Sequence, residues 1–366
     1  MLPSSRHWLR IPKTYKAAVY DKPGQISIKL EELPTPEPGP GEVLVRITHS
    51  GVCHSDLSVM RSGWTGLPPC PVGQIGGHEG VGIVQKLGPD CEATSVKLGD
   101  RVGIKWAAAF CGKCAACKAG FDGHCETKKF SGFFTPGTFA EYTLAPANYV
   151  TPIPANLSST LAAPMLCAGL TSYSALLKSG TSSGDFVVVS GAGGGLGHLA
   201  IQIGARGMGY RMIGIDDASK RSLVLECGAE HFLNMRDFND TTLAEEIMKL
   251  TGGQGAKAVI VCAGSNRAYA QALPMLGFGG TMVCVGIPEG EQVPISNATP
   301  GALFAMQKRI VGSSVGSQKE AIEVLNLASM GIVKTVCREE KMDALQGVFE
   351  EMSKGAAIGR VVLDLS

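Results

Sequence analysis

No run of roughly 18 apolar residues occurs in the 366-residue chain, so no helix long enough to cross a bilayer is expected. Charge is also scarce. Asp, Glu, Lys and Arg make up 18% of the residues, against roughly 25% in an ordinary globular domain. The 33 basic and 32 acidic residues balance, and no block of one sign stands out. That argues against nucleic acid and against an anionic membrane as partners. An apolar share of 45% excludes a disordered chain. Twelve cysteines are far too few for a disulfide scaffold. With no visible secretory signal, a reducing compartment and metal binding better explain the cysteines that cluster. Forty-eight glycines carry no three-residue period, which excludes collagen and points to many turns. No acidic residue precedes Asp21, whereas Arg6, His7, Arg10 and Lys13 crowd the N-terminus. This faintly resembles a mitochondrial transit peptide, yet strand-like sequence begins by Tyr15. A cytoplasmic location is expected, with the mitochondrial matrix as the alternative.

The length suggests two to three domains, at about 150 residues each. From Lys16 to about Ala145 the chain reads as short strands punctuated by Gly and Pro: Ala17–Tyr20, Ile26–Leu30, Val43–His49, Val81–Leu87 and Phe139–Leu144. That pattern predicts an antiparallel, barrel-like or sandwich core. From about Gly169 strands and helices alternate. Strands are expected at Phe186–Ser190, Arg211–Ile215, Ala258–Cys262 and Thr281–Val285. Helices are expected at Leu196–Ala205, Lys220–Cys227, Glu245–Leu250 and Asn266–Leu276. Such alternation predicts a doubly wound parallel sheet. Helices at Gln318–Met330 and Met342–Met352, then a strand at Arg360–Leu365, return the chain toward the first domain. The expected divisions are 1–168, 169–308 and 309–366.

Cys111, Cys114, Cys117 and Cys125 have the spacing C-x2-C-x2-C-x7-C. Four thiolates so close in sequence can surround one ion tetrahedrally and leave no coordination position open, which is the pattern of a structural zinc. An iron–sulfur cluster is the rival, but its motif continues x3-C-P, and here Glu126 follows the fourth cysteine.

Three further segments matter only together. Cys53 lies in Ser50-Gly-Val-Cys-His-Ser-Asp56, His78 in Gly76-Gly-His-Glu-Gly80, and Cys167 in Met165-Leu-Cys-Ala-Gly169. Alone, each reads as a core cysteine or a histidine in a turn. Jointly they supply two cysteines and one histidine, a ligand set that leaves a fourth zinc position for water or substrate. Glu79 stands beside the histidine and could reach the metal. Asp56 could orient His78 from behind.

The strand Phe186–Ser190 runs into Gly191-Ala-Gly-Gly-Gly-Leu-Gly197 and then an apolar helix, the setting a dinucleotide-binding turn requires. The register is G-x-G-x-x-x-G on Gly191, Gly193 and Gly197, or a shifted set on Ala192, Gly194 and Gly197. Asp216 ends the next strand, where an acid accepts hydrogen bonds from an adenosine ribose and repels a 2′-phosphate. NAD is therefore favoured over NADP, although Arg221 lies close by.

With these constellations in order, the chain resembles the zinc-containing medium-chain alcohol dehydrogenases, above all the fungal, yeast-type tetrameric group. The resemblance runs from about Lys16 to Asp364. It rests on Gly51-Val-Cys-His-Ser-Asp-Leu57, Gly77-His-Glu-Gly80, Gly103-Ile-Lys-Trp106, the Cys111–Cys125 spacing, Leu166-Cys-Ala-Gly169, Gly209-Tyr-Arg211 and Ile358-Gly-Arg360. It implies an α/β protein with a mainly β, GroES-like catalytic domain, a Rossmann domain, and an active site in the cleft between them. It implies two zinc ions per chain, one catalytic on Cys53, His78 and Cys167 and one structural, together with NAD and a homotetramer. Ser55 would hydrogen-bond the substrate oxygen, Glu79 would swing onto the metal, and Asp56 would support His78. His54 and Arg360 would contact the cofactor diphosphate. Gly194, Gly195 and Leu196 would form the phosphate turn, with Asp216 and Lys220 on the adenosine side. Thr171, Phe232, Val285, Ile287, Ser313 and Val315 would line the cofactor, and Trp64 and Trp106 would wall the substrate pocket.

The implied reaction interconverts a small primary alcohol and its aldehyde, with zinc as Lewis acid on the oxygen and hydride passing between carbon and nicotinamide. A secondary-alcohol or polyol dehydrogenase of the same superfamily is the alternative. A zinc-free quinone reductase lacks this ligand set. An NAD-binding structural or regulatory protein with a silent site conflicts with the intact ligands. Two departures stand out. Relatives place a proton-relaying histidine where Arg61 stands, and arginine cannot give up its proton. Ser58 replaces a large histidine of the yeast enzymes and, with Met60, leaves the pocket's shape open and allows a somewhat wider range of alcohols.

Overall fold

The structure is a computed structural model that describes residues 11–291 and 293–366. Most of the basic N-terminal segment, through Arg10, lies outside the described residues. Two large sheets organise the molecule. The strands Thr151–Pro152, Arg101–Ile104, Gly80–Leu87, Glu42–Val52, Arg360–Asp364 and Cys337–Glu340 lie side by side in that order, and Tyr142–Pro146 also pairs with Glu42–Val52. All these pairings are antiparallel except Cys337–Glu340 on Arg360–Asp364. The expected antiparallel core is thus present, and the returning strand is its inner member rather than an edge. A smaller sheet of Ile28–Pro34, Thr14–Tyr20 and Gln74–Ile75 packs beside it.

The second sheet is wholly parallel, in the order His231–Asn234, Arg211–Asp216, Phe186–Ser190, Ala256–Val261, Leu276–Cys284, Arg309–Gly312. Numbered along the chain, that is 3-2-1-4-5-6, the doubly wound dinucleotide-binding order. The order reverses beside Phe186–Ser190, whose end opens into the glycine turn. The strand Arg309–Gly312 belongs to this sheet, so the division expected at 308 falls one strand early.

Buried strands in a parallel sheet are apolar on both faces, and Val187, Val188 and Val189 are fully buried. Element ends differ from the sequence reading where polar residues act on the backbone. The helix expected from Glu245 starts at Asp240, because Asn239 accepts hydrogen bonds from the Thr241 and Thr242 amides. The strand expected from Phe139 starts at Tyr142, and Ala140 makes only an isolated bridge to Ala17.

One apolar core passes beneath both domains. Val81 and Val362 of the antiparallel sheet share it with Leu166 and Leu170 and with Val187, Leu199 and Val283 of the nucleotide domain. Burying each such side chain contributes about 1.5–3 kcal/mol. The segment that carries Cys167 is therefore held from both sides. Among the described residues no single helix is long and apolar enough to cross a membrane.

Candidate active site and metal centres

Cys53, His78, Glu79 and Cys167 come together from three separate segments, with one ligand atom of each inside a group no wider than 4.8 Å. Cys53 ends the long strand Glu42–Val52 and opens the helix His54–Met60. His78 precedes the neighbouring strand Gly80–Leu87. Cys167 sits immediately before the helix Ala168–Lys178. All four are buried.

Asp56 ties two of these segments. Its carboxylate accepts the Cys53 amide at 2.9 Å and the Gly77 amide at 3.2 Å, and lies 2.8 Å from His78 Nδ1. Nδ1 is thereby the donor, and Nε2 is left as a lone pair facing the thiols. His78 Nε2 is buried without a hydrogen-bond partner among the described residues. A buried acceptor facing two cysteine sulfurs calls for a metal ion rather than for water. Hydrogen bonding from Cys167 holds the Cys53 thiol well below its ordinary range against burial. The donor set fits zinc.

Glu79 is fully buried, and the Arg360 guanidinium pairs with it. Burial pushes the Glu79 carboxyl up to about 7 in spite of that charge. A Cβ on Gly51 would run into this carboxylate, so the strand must carry glycine there. Arg360 also borders the phosphate turn, since a Cβ on Gly195 would come within 2.9 Å of Arg360 Nη1. One arginine thus spans from the metal cluster to the turn.

The turn itself is well formed. Gly191 has φ +77, which favours glycine. A Cβ on Gly197 would strike the Gly191 carbonyl, which fixes how closely helix and strand pack. Asp216 accepts the Gly193 amide at 2.8 Å, and Lys220 Nζ donates to the Ala357 carbonyl at 3.2 Å. The Gly194 carbonyl accepts from His198 Nδ1 at 2.8 Å, while Val336 N donates to His198 Nε2 at 3.3 Å. Accepting from Val336 requires Nε2 to be unprotonated, and burial pushes His198 down to about 4 against the bond to Gly194, which favours the charged ring. Thr171, Phe232 and Ser313 are buried, Val285 is half-buried and Ile287 is exposed. Arg221 lies over the Phe232 ring at 5.7 Å rather than free beside Asp216. Val315 has φ +46, an uncommon conformation for a β-branched residue.

Trp106 stands edge-on to His78 at 4.9 Å and so borders the cluster, and Trp64 stands edge-on to Trp106 at 6.3 Å. Ser55, on the first turn of the helix after Cys53, is half-buried. Ser58 is buried, and Glu289 fills the space beside it with a 2.6 Å hydrogen bond.

The second cluster is local. The Sγ atoms of Cys111, Cys114, Cys117 and Cys125 lie within 4.8 Å of one another, with 3.4 Å between Cys114 and Cys117 and 4.0 Å between Cys111 and Cys117. Zinc–sulfur bonds of about 2.3 Å at the tetrahedral angle put sulfurs about 3.8 Å apart. The Lys113 and Cys114 amides point at Cys111 Sγ and lower its pKa. None of the four is in a disulfide.

Four features escaped sequence reading: the Arg360–Glu79 pair, the His198 bridge, Glu289, and Lys105. Lys105 Nζ, fully buried, donates to the Tyr149 carbonyl at 3.0 Å and to Gln318 Oε1 at 2.5 Å. Only the Gly-Ile-Lys-Trp stretch hinted at the last of these.

Residues 39–155 match the alcohol dehydrogenase GroES-like domain model, and residues 195–330 match the zinc-binding dehydrogenase model. The chain is 53% identical to Alcohol dehydrogenase 2 of Emericella nidulans over 97% of its own length and 99% of that protein's. Among solved structures, the alcohol dehydrogenase of the archaeon Aeropyrum pernix superposes with a TM-score of 0.84 at 30% identity, covering 95% of this chain and 99% of that one. Acetophenone reductase from Geotrichum candidum, solved in complex with NAD, gives 0.83 at 27% identity over 97% and 98%. The doubly wound nucleotide sheet, the buried cysteine–histidine cluster beside it and these matches together make the chain a member of the zinc-containing medium-chain alcohol dehydrogenase family, an oxidoreductase.

Proposed function

We propose that the protein interconverts small primary alcohols, ethanol-like in size, and their aldehydes, using NAD and a catalytic zinc, with a second zinc in the cysteine lobe. The observation that carries this reading is the buried cluster of Cys53, His78 and Cys167, with the orphaned His78 Nε2, linked through Arg360 to the glycine turn. Those three residues would hold the catalytic ion. Gly191 to Gly197, with Asp216 and Arg360, would hold the cofactor. When bound, zinc supplies Lewis acidity toward the alcohol or carbonyl oxygen, and nicotinamide supplies the hydride acceptor or donor. The Ser55 hydroxyl orients the substrate oxygen and takes part in moving its proton. Asp56 keeps Nδ1 of His78 protonated, so that Nε2 remains a ligand. Arg360 pairs with Glu79 and offsets part of the cost of burying its carboxyl beside the ligand set. Trp64 and Trp106 exclude water and limit substrate size. Asp216 would accept from an adenosine ribose, and its position at the end of the strand Arg211–Asp216, beside the Gly193 amide, supports NAD over NADP.

The solved neighbour named acetophenone reductase acts, by that name, on a ketone, which gives the secondary-alcohol alternative its support. A homo-oligomer is also proposed, with the tetramer resting on resemblance. Supporting it, Arg309–Gly312 has one sheet edge unpaired among the described strands. Phe304, 87% exposed, and Met306 lie just before it. Such an edge and such an apolar surface are ordinarily covered. A cytoplasmic location is the remaining expectation.

The test is an NADH absorbance assay on purified protein with ethanol, longer primary alcohols, 2-propanol and a polyol, repeated with NADP and after chelation. Chelator-sensitive turnover of NAD with ethanol is expected. Preference for 2-propanol or a polyol would replace the substrate assignment. Silence toward all of these at full zinc content would overturn it.

A further inference from the structure

The loop that leaves the strand Leu276–Cys284 fastens onto the helix His54–Met60 and the segment that follows it. Gly290 pairs with Trp64 as an isolated bridge, its amide donating to the Gly63 carbonyl at 3.3 Å, and Thr65 Oγ1 donates to the Gly290 carbonyl at 2.8 Å. These bonds bring the neighbouring Glu289 over the helix His54–Met60. There its carboxylate accepts from Ser58 Oγ at 2.6 Å, stands 3.3 Å from His54 Nε2, and lies 3.9 Å from Arg61. One acid of the nucleotide domain thus meets a hydroxyl, an imidazole and a guanidinium of the catalytic domain.

His54 is half in solvent, its side chain 59% exposed, and by the family resemblance it would contact the cofactor's diphosphate together with Arg360. The diphosphate and Glu289 are both anions, and they cannot both bond Nε2 at full strength. We propose that Glu289 is a positioning residue that clasps the two domains and competes with a dinucleotide diphosphate for His54, so that it sets how tightly the cofactor is held. This rests on the NAD reading given above. Entry of the cofactor trades the contact to His54 for one to the diphosphate, while Ser58 and Arg61 retain the carboxylate. Each cofactor departure is assisted by Glu289 returning to His54.

The experiment is equilibrium titration of purified protein with NADH, followed by fluorescence. Wild type is compared with Glu289→Gln, Glu289→Ala, His54→Ala and the double variant His54→Ala/Glu289→Gln. Glutamine still accepts from Ser58 but carries no charge. An exposed ion pair is worth little, so both Glu289 variants are expected to bind NADH about two- to fivefold tighter. In the His54→Ala background the gain from Glu289→Gln should vanish. Unchanged or weaker binding in both Glu289 variants overturns the proposal. So does an equal gain with and without His54, which would show only the removal of a distant negative charge. Absence of NADH binding by the wild type overturns the cofactor reading itself and the clasp with it.

Discussion

The two cysteine clusters are built in opposite ways. In the lobe, four thiols spaced within one short segment meet because the backbone turns there, and adjacent amides point at the sulfurs. Its members are mostly half-exposed. In the cleft, Cys53, His78 and Cys167 come from two strands and a helix, and every one is buried. Nothing local forms that site. Asp56, Gly51, Arg360 and the shared apolar core assemble it. A local cluster reports on its own segment, whereas a dispersed one reports on the whole fold.

The sharpest division is between the metals. Cys53→Ser should lower turnover by at least about a thousandfold, about 4 kcal/mol of barrier, with only a small change in melting temperature. Cys114→Ser should instead lower the melting temperature by about 5–10 °C, with activity falling as the protein unfolds. Metal analysis should show about one zinc lost in each. A Cys114 variant of wild-type stability but without activity would mean that the two roles are exchanged.

A second division separates ligands from what holds them. Asp56→Asn leaves all three ligands in place but removes the carboxylate behind His78. Zinc affinity at the cleft, or activity, should fall about 10–100-fold. The lobe's zinc should stay, which a two-step chelator titration would reveal.

The third concerns His198, which bolts the phosphate turn to the tail as a neutral ring. The unfolded chain takes up this proton near the ordinary histidine value and the fold only at about 4. The unfolded state therefore binds more protons between these values, and stability falls as pH drops through that window. The effect is at most about 3 kcal/mol. In His198→Gln, denaturant midpoints measured from pH 7 to 4 should lose most of that slope.

The smallest expected effect is Gly51→Ala, costing about 1–3 kcal/mol as Glu79 is displaced. Its signature is weaker zinc retention in the cleft and none in the lobe. Equal loss from both would dissolve the contrast between them.

What the sequence made legible follows the same line. The four-cysteine spacing and the strand–glycine–helix order are local, and both could be read directly. Strands such as Phe186–Ser190 were found at their true ends because valine runs mark buried parallel strands. Cys53, His78 and Cys167 gain meaning only when taken together, and the Asp56 link was inferred from chemistry rather than from spacing. Glu289 and His198 carried no signal at all. Their partners lie far away in the chain, and a lone acid in a loop or a lone histidine on a helix looks like any other. What stands beside Ser58 could not be read for the same reason, since its partner Glu289 comes from a segment far along the chain. Helix starts slipped where asparagine caps the backbone, an effect of one side chain that periodicity does not register.

Arg360 has one more consequence, in the order of synthesis. It stands on the last strand, which inserts between Glu42–Val52 and Cys337–Glu340 and carries the guanidinium that meets Glu79. A ribosome delivers Cys53 and His78 long before this strand. The parallel sheet, complete by Gly312, can form before the strand emerges. The metal-ligand cluster cannot be completed so early. Its buried acid waits without a counter-charge, and the antiparallel sheet waits with a gap, until Arg360–Asp364 has been made. A nascent chain cut short before this strand would carry a nearly whole nucleotide domain and all seven cysteine and histidine ligands, yet lack the keystone of its reaction centre.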